Sequence, residues 1–110
     1  GGKSLVTQSH GQSMMSYFHS RYQRKGIYFL DEPETALSPR SQLELMEIIG
    51  ANSRAGHAQF IIATHSPILL ACNDAKIYSF DHIPVCPLAY EETDHYRIYK
   101  NFLIDRKNYL

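Results

Sequence analysis

The chain has 110 residues, 11 Lys and Arg against 11 Asp and Glu, and 44% apolar residues. That length accommodates one small domain, and the apolar content supplies a packed core, which excludes wholesale disorder. Balanced charge removes the electrostatic argument for nucleic acid or an acidic membrane as a direct partner. No apolar run approaches the roughly 18 residues of a membrane span, and no signal peptide precedes the first helix. Cys72 and Cys86 lack metal-ligand spacing and read as reduced thiols of a cytoplasmic protein.

The expected elements alternate. Met14, Met15, Phe18 and Tyr22 recur at helical spacing and predict a helix from about Gln12 to Gln23, broken by Gly26. Ile27-Tyr28-Phe29-Leu30 is a continuous apolar run ending in acid, the pattern of a buried parallel strand. Ser38-Pro39 reads as an N-cap with Pro at the first helical position. The helix it opens is expected to bury Leu43, Leu45, Met46, Ile48 and Ile49 and to stop at Gly50. A polar loop from Ala51 to Ala58 leads to a second buried strand, Phe60-Ile61-Ile62-Ala63-Thr64. Ser66-Pro67 repeats the cap-and-proline device before a short helix to about Ala71, and Ile77-Tyr78-Ser79-Phe80 forms a third strand. Pro84 and Pro87 mark a linker, and a final helix is expected from about Tyr90 to Leu110, with Tyr96, Tyr99, Phe102 and Leu103 on one side packing on the sheet. The alternation is an α/β reading with a short, mostly parallel sheet and flanking helices.

Asp31-Glu32, directly after the first strand, is the most informative pair. A strand ending in two carboxylates delivers them to the carboxyl edge of a sheet, where α/β folds bind ligands. Adjacent strand positions point to opposite faces, so the two acids take different tasks: one holds Mg²⁺ through its water shell, the other orients an attacking water. A solvated acidic turn is the plain alternative. The second strand ends in Thr64-His65-Ser66-Pro67, which brings a histidine to the same edge. Alone, a strand-end His is a cap or core residue; beside the acid strand it becomes a donor to a phosphate oxygen. Ser9-His10-Gly11-Gln12-Ser13 stands just before a helix, where free N–H groups and the positive dipole end attract an anion, or where Ser9 is simply an N-cap.

As an ordered set these residues resemble the nucleotide-binding domain of ABC-type ATPases, over about residues 5–81. Gln8-Ser9-His10-Gly11-Gln12 is similar to the signature motif and Ile27 to Glu32 to Walker B. Ala36-Leu37-Ser38-Pro39 resembles the D-loop, and Thr64-His65-Ser66-Pro67 the H-loop. The tetrad Asp31-Glu32-Pro33-Glu34 together with Thr64-His65-Ser66-Pro67 is similar to soluble, non-transporter members, the AAA-type ATPases of bacteria. The resemblance implies a partial P-loop NTPase fold, ATP and Mg²⁺ as cofactors, and a nucleotide-sandwich homodimer. By it, Asp31 serves Mg²⁺, Glu32 is the catalytic base and His65 contacts the γ-phosphate. Ser9 and Gly11, with Gln12 in the same motif, meet the ATP held by a second protomer, and Ser38 faces that interface. His10 stands where the family usually has Gly, and its side chain either crowds the phosphate or adds a donor to it.

A phosphate-binding loop needs Gly, four residues, then Gly-Lys-Ser/Thr between a strand and a helix. Gly2-Lys3-Ser4 imitates only its end, so the chain is expected to be the C-terminal half of such a domain, with the Walker A half missing. It divides as 5–26 (signature and helix), 27–81 (Walker B to H-loop) and 82–110 (linker and C-terminal helix), within one partial domain. The readings that follow are the catalytic-base half of an ATPase, inactive alone, with a non-enzymatic module pairing with another ATPase half, or a DNA-repair or defence-type ATPase head, as the alternatives. Nucleic acid as a partner of the parent protein finds no support in these residues. With the P-loop strand gone, the second strand is expected to repair a bare edge, either by pairing with Ile77–Phe80 or beneath a second copy of the chain.

Overall fold

The computed structural model describes residues 10–110, with side chains from residue 15 onward. The chain divides into two compact units, Gly1–Thr64 and His65–Leu110.

In the first unit the described elements are α1 (His10–Arg21), β1 (Gly26–Asp31), α2 (Pro39–Arg54) and β2 (Ala58–Ala63). Met15, Phe18 and Tyr22 are buried on one side of α1 and the turn after it, the stripe expected of a core-facing helix. β1 and β2 pair in parallel, in register from Gly26↔Ala58 to Asp31↔Ala63, with α2 as the crossover. The bond from Gly26 N to the His57 carbonyl (3.0 Å) and that from Glu32 N to the Ala63 carbonyl (2.7 Å) carry the pairing to both ends. An aromatic cluster fills the covered face. Tyr28 and Phe60, cross-strand partners, stack at 5.4 Å, and Tyr22 meets them edge-on at 4.9 and 5.0 Å. Such pairs contribute about 0.5–1.5 kcal/mol each beyond area burial. Leu45, fully buried on α2, contributes roughly 1.5–3 kcal/mol more.

Both strands bury one face only. Ile27 and Phe29 of β1 and Ile61 of β2 are exposed, Phe29 at 74%, although continuous apolar runs predict cover on both sides. α2 also departs from expectation. It runs through Gly50, which is buried, to Arg54, and Leu43 is exposed. One interior Gly costs a helix only about 1 kcal/mol. The stop comes instead at Gly56, whose φ of +88° is the left-handed conformation that closes helices, with its N–H on the Ser53 carbonyl at 3.0 Å.

In the second unit, Ser66 Oγ accepts from Ile68 N (3.2 Å) and Leu69 N (3.1 Å), fixing the turn before a 3-10 segment at Leu69–Ala71. β3 (Ile77–Ser79) pairs antiparallel with β4 (Cys86–Leu88), a strand within the expected linker. Among the described strands β2 pairs with β1 and β3 with β4, so the expected pairing of Ile77–Phe80 with the second strand is not formed. The final helix is shorter than expected. A 3-10 turn at Tyr90–Glu92 precedes α3 (Asp94–Ile104), which begins where Thr93 Oγ1 accepts from Tyr96 N at 3.1 Å. No residue of α3 is buried, and Tyr99 and Leu103 of the expected aromatic side are exposed.

Candidate active site

Asp31 is the last residue of β1 and is exposed, on the same strand face as Ile27 and Phe29. Glu32 does not continue the alternation. Its φ of 47° and ψ of 55° are left-handed, a conformation costing a side-chain-bearing residue roughly 1–2 kcal/mol. Pro33 is part of the reason, because a residue before proline is disfavoured in the right-handed helical region. The chain thus turns off the strand at Glu32 into a 3-10 segment at Pro33–Ala36. The two acids are divided by this turn and not by strand pleating.

The turn is held from several sides. Glu32 N–H donates to the Ala63 carbonyl of β2. The Glu32 carbonyl accepts from Thr35 N at 3.2 Å and from Thr35 Oγ1 at 2.8 Å. Thr64 Oγ1, just past β2, donates to Glu34 Oε1 at 2.5 Å. Glu34, Thr35 and Thr64 were not singled out from the sequence as site residues, yet they brace the carboxyl ends of both strands around Asp31 and Glu32. No sequence signal pairs Glu34 with Thr64, because the contact spans the whole crossover helix.

Ser38 caps α2, its Oγ accepting from Ser41 N at 3.2 Å, with Pro39 at the first helical position. It lines a shallow groove with Ser16 and His19 of α1 and Arg40, Ser41 and Glu44 of α2. Ser9 lies outside the described residues; Gly11 and Gln12 fall in the first turn of α1, without described side chains. His65 opens the second unit. It is exposed, and its Nδ1 lies 3.0 Å from Nε2 of His95, with the rings stacked at 5.2 Å.

Among the described residues no three His, Cys, Asp or Glu side chains form a metal-holding group. The donors at the end of β1 are hard carboxylate oxygens, exposed to solvent. That suits Mg²⁺, which retains several waters and takes one or two carboxylates from a protein. Among the described residues no helix is long and apolar enough to cross a membrane.

Residues 15–71, just over half of the chain, match the family described as "AAA domain, putative AbiEii toxin, Type IV TA system". The match spans α1 from Met15, both parallel strands, the Asp31–Glu32 turn, α2 and the histidine after β2. The signature-like residues before position 15 and the segment after Ala71 lie beyond it. No curated protein matches the chain.

Proposed function

The chain belongs to this AAA-domain family, and on that premise we propose that it supplies the catalytic-base half of an ABC-type, P-loop ATPase domain. The observation that carries the reading is the turn at the end of β1. Two adjacent exposed carboxylates stand at the carboxyl edge of a parallel strand pair, the second held in a strained backbone conformation by bonds to β2 and Thr35. Strained residues held by their surroundings cluster at functional sites.

Mg²⁺, when bound with ATP, neutralises charge on the phosphates. Asp31 holds its water shell. Glu32 accepts a proton from the attacking water, and its pinned backbone keeps the carboxylate from swinging with the chain. Glu34 and Thr64 keep the two strand ends in register behind it. His65 donates to a γ-phosphate oxygen. Ser9, Gly11 and Gln12 meet the nucleotide of a second copy in a homodimer, and Ser38, at the start of α2, faces that interface. The phosphate grip comes from a Gly-x₄-Gly-Lys-Ser/Thr segment outside these 110 residues.

The test is Glu32→Gln in the intact protein. The amide keeps size and hydrogen bonding but removes the base, so turnover falls by roughly 10²–10⁴ while ATP binding is retained. Turnover at the parent rate refutes the assignment.

A further inference from the structure

Two contacts from the C-terminal segment hold the stretch that opens the second unit. Tyr90 OH donates to the Pro67 carbonyl at 2.7 Å, and burial raises the Tyr90 pKa, so the phenol keeps the proton it donates. His95, in the first turn of α3, lies against His65. The rings stack with centroids 5.2 Å apart and planes at 20°, and His95 Nε2 is 3.0 Å from His65 Nδ1. The backbone on both sides is fixed: Thr93 caps the turn that carries His95, and Ser66 caps the turn that follows His65.

A hydrogen bond between two imidazole nitrogens carries one proton, and its direction decides the chemistry left on the other nitrogen. If His65 donated through Nδ1, its neutral ring would present a lone pair at Nε2, which a phosphate oxygen repels. If His95 donates through Nε2–H, His65 Nδ1 is the acceptor and His65 Nε2 carries the proton. We propose that His95 is a positioning residue that donates Nε2–H to His65 Nδ1 and so fixes His65 as the Nε2–H tautomer, the neutral form able to donate to an anionic phosphate oxygen. The direction of this bond, and with it the tautomer, rests on the reading of His65 as the phosphate-facing histidine; the pairing of the two rings does not.

The experiment is long-range ¹H–¹⁵N correlation on the 110-residue chain, labelled at histidine, at a pH where both rings are neutral. The expected result is a single His65 tautomer protonated at Nε2, with scalar coupling across the N–H···N bond to His95 Nε2. His95→Leu removes the coupling and lets His65 relax toward the tautomer mixture of free imidazole. His95→Gln places an amide N–H where the imidazole Nε2–H stands and restores the Nε2–H form, which a purely structural role for His95 does not require. Tyr90→Phe loosens the other tether and leaves the tautomer unchanged. A wild-type His65 protonated at Nδ1, or a tautomer unaltered in His95→Leu, overturns the proposal. Adding Mg·ATP to the labelled intact protein separates the two readings. A shift of His65 Nε2–H supports the phosphate contact; a locked tautomer that ignores the nucleotide overturns that contact and leaves the pairing standing.

Discussion

Replacing Glu32 by Gly should make the protein more stable while removing the proposed base. With φ 47° and ψ 55°, the left-handed conformation costs a residue with a Cβ roughly 1–2 kcal/mol and costs Gly essentially nothing. Gly gives back roughly 0.5–1 kcal/mol through its greater freedom in the unfolded chain. The net gain lies at about 0–1.5 kcal/mol, centred on ~0.75 kcal/mol. In urea, with a slope of about 1.5 kcal/mol/M, the central value is a midpoint shift of roughly 0.5 M upward at unchanged slope. Glu32→Val should move the midpoint the other way, because a β-branched side chain is worse still at positive φ. Glu32 is exposed, so neither change is masked by repacking of a core. A lower midpoint for Glu32→Gly at unchanged slope would refute the argument that backbone strain is stored at this residue.

The remaining predictions use the same scale. On the proposed reading, which places the phosphate grip outside these residues, the 110-residue chain alone should release no phosphate from Mg·ATP; Mg²⁺-dependent release that vanishes in Glu32→Gln would contradict the proposed division of labour. Burial, reinforced by the neighbouring Tyr17 phenol, pushes Tyr22 up to about 12 from 10.0. The folded state then holds a proton that the unfolded chain gives up. The contribution, on the order of 2 kcal/mol, is fully present below pH 10 and is lost as pH rises from 10 through 12; alkaline unfolding followed by circular dichroism should be flatter in Tyr22→Phe. Leu45→Ala should cost about 2–5 kcal/mol in urea, whereas Phe29→Ala, on the open face of the sheet, should stay within about 0.5 kcal/mol. Ser38→Ala should cost about 1 kcal/mol through the lost α2 cap.

How far the sequence reaches depends on how local each cause is. The Ser38-Pro39 cap, the two parallel strands and the acid pair at the end of β1 were all legible, because a capping hydroxyl, an apolar run and an adjacent carboxylate act within a few residues. The αL turn at Glu32 was half-legible: Pro33 weighs against a right-handed conformation there, but only the bonds to Ala63 and Thr35 select the left-handed one. The end of α2 was misplaced because Gly50 and Gly56 look alike in sequence, and only Gly56 adopts positive φ. β4 was missed because Pro84 and Pro87 punctuate its neighbourhood, and a three-residue antiparallel strand takes its identity from its partner, here Pro87 opposite Tyr78. The contacts Glu34–Thr64 and His65–His95 each close a separation of thirty residues, and nothing local announces them.

The exposed strand face shows a different limit. Ile27, Phe29 and Ile61 gave β1 and β2 the continuous apolar character that predicts a strand covered twice. Tyr28 and Phe60, on the other face, account for the cover found among the described residues, through Tyr22 and the helices. Had only this face been built to be covered, alternation would suffice, and polar residues at 27, 29 and 61 would cost the fold little. Hydropathy along a strand records what both faces are made to meet, so a pattern buried by sequence and half-exposed in structure is a statement about the sheet as a whole. The catalytic reading leads to the same place by a separate route. Asp31 shares the exposed strand face with Ile27 and Phe29, and a carboxylate that holds Mg²⁺ for a phosphate needs an opposing phosphate grip. In the proposed ATPase the phosphate-binding segment supplies that grip, so completing the sheet and completing the site are expected to be a single event.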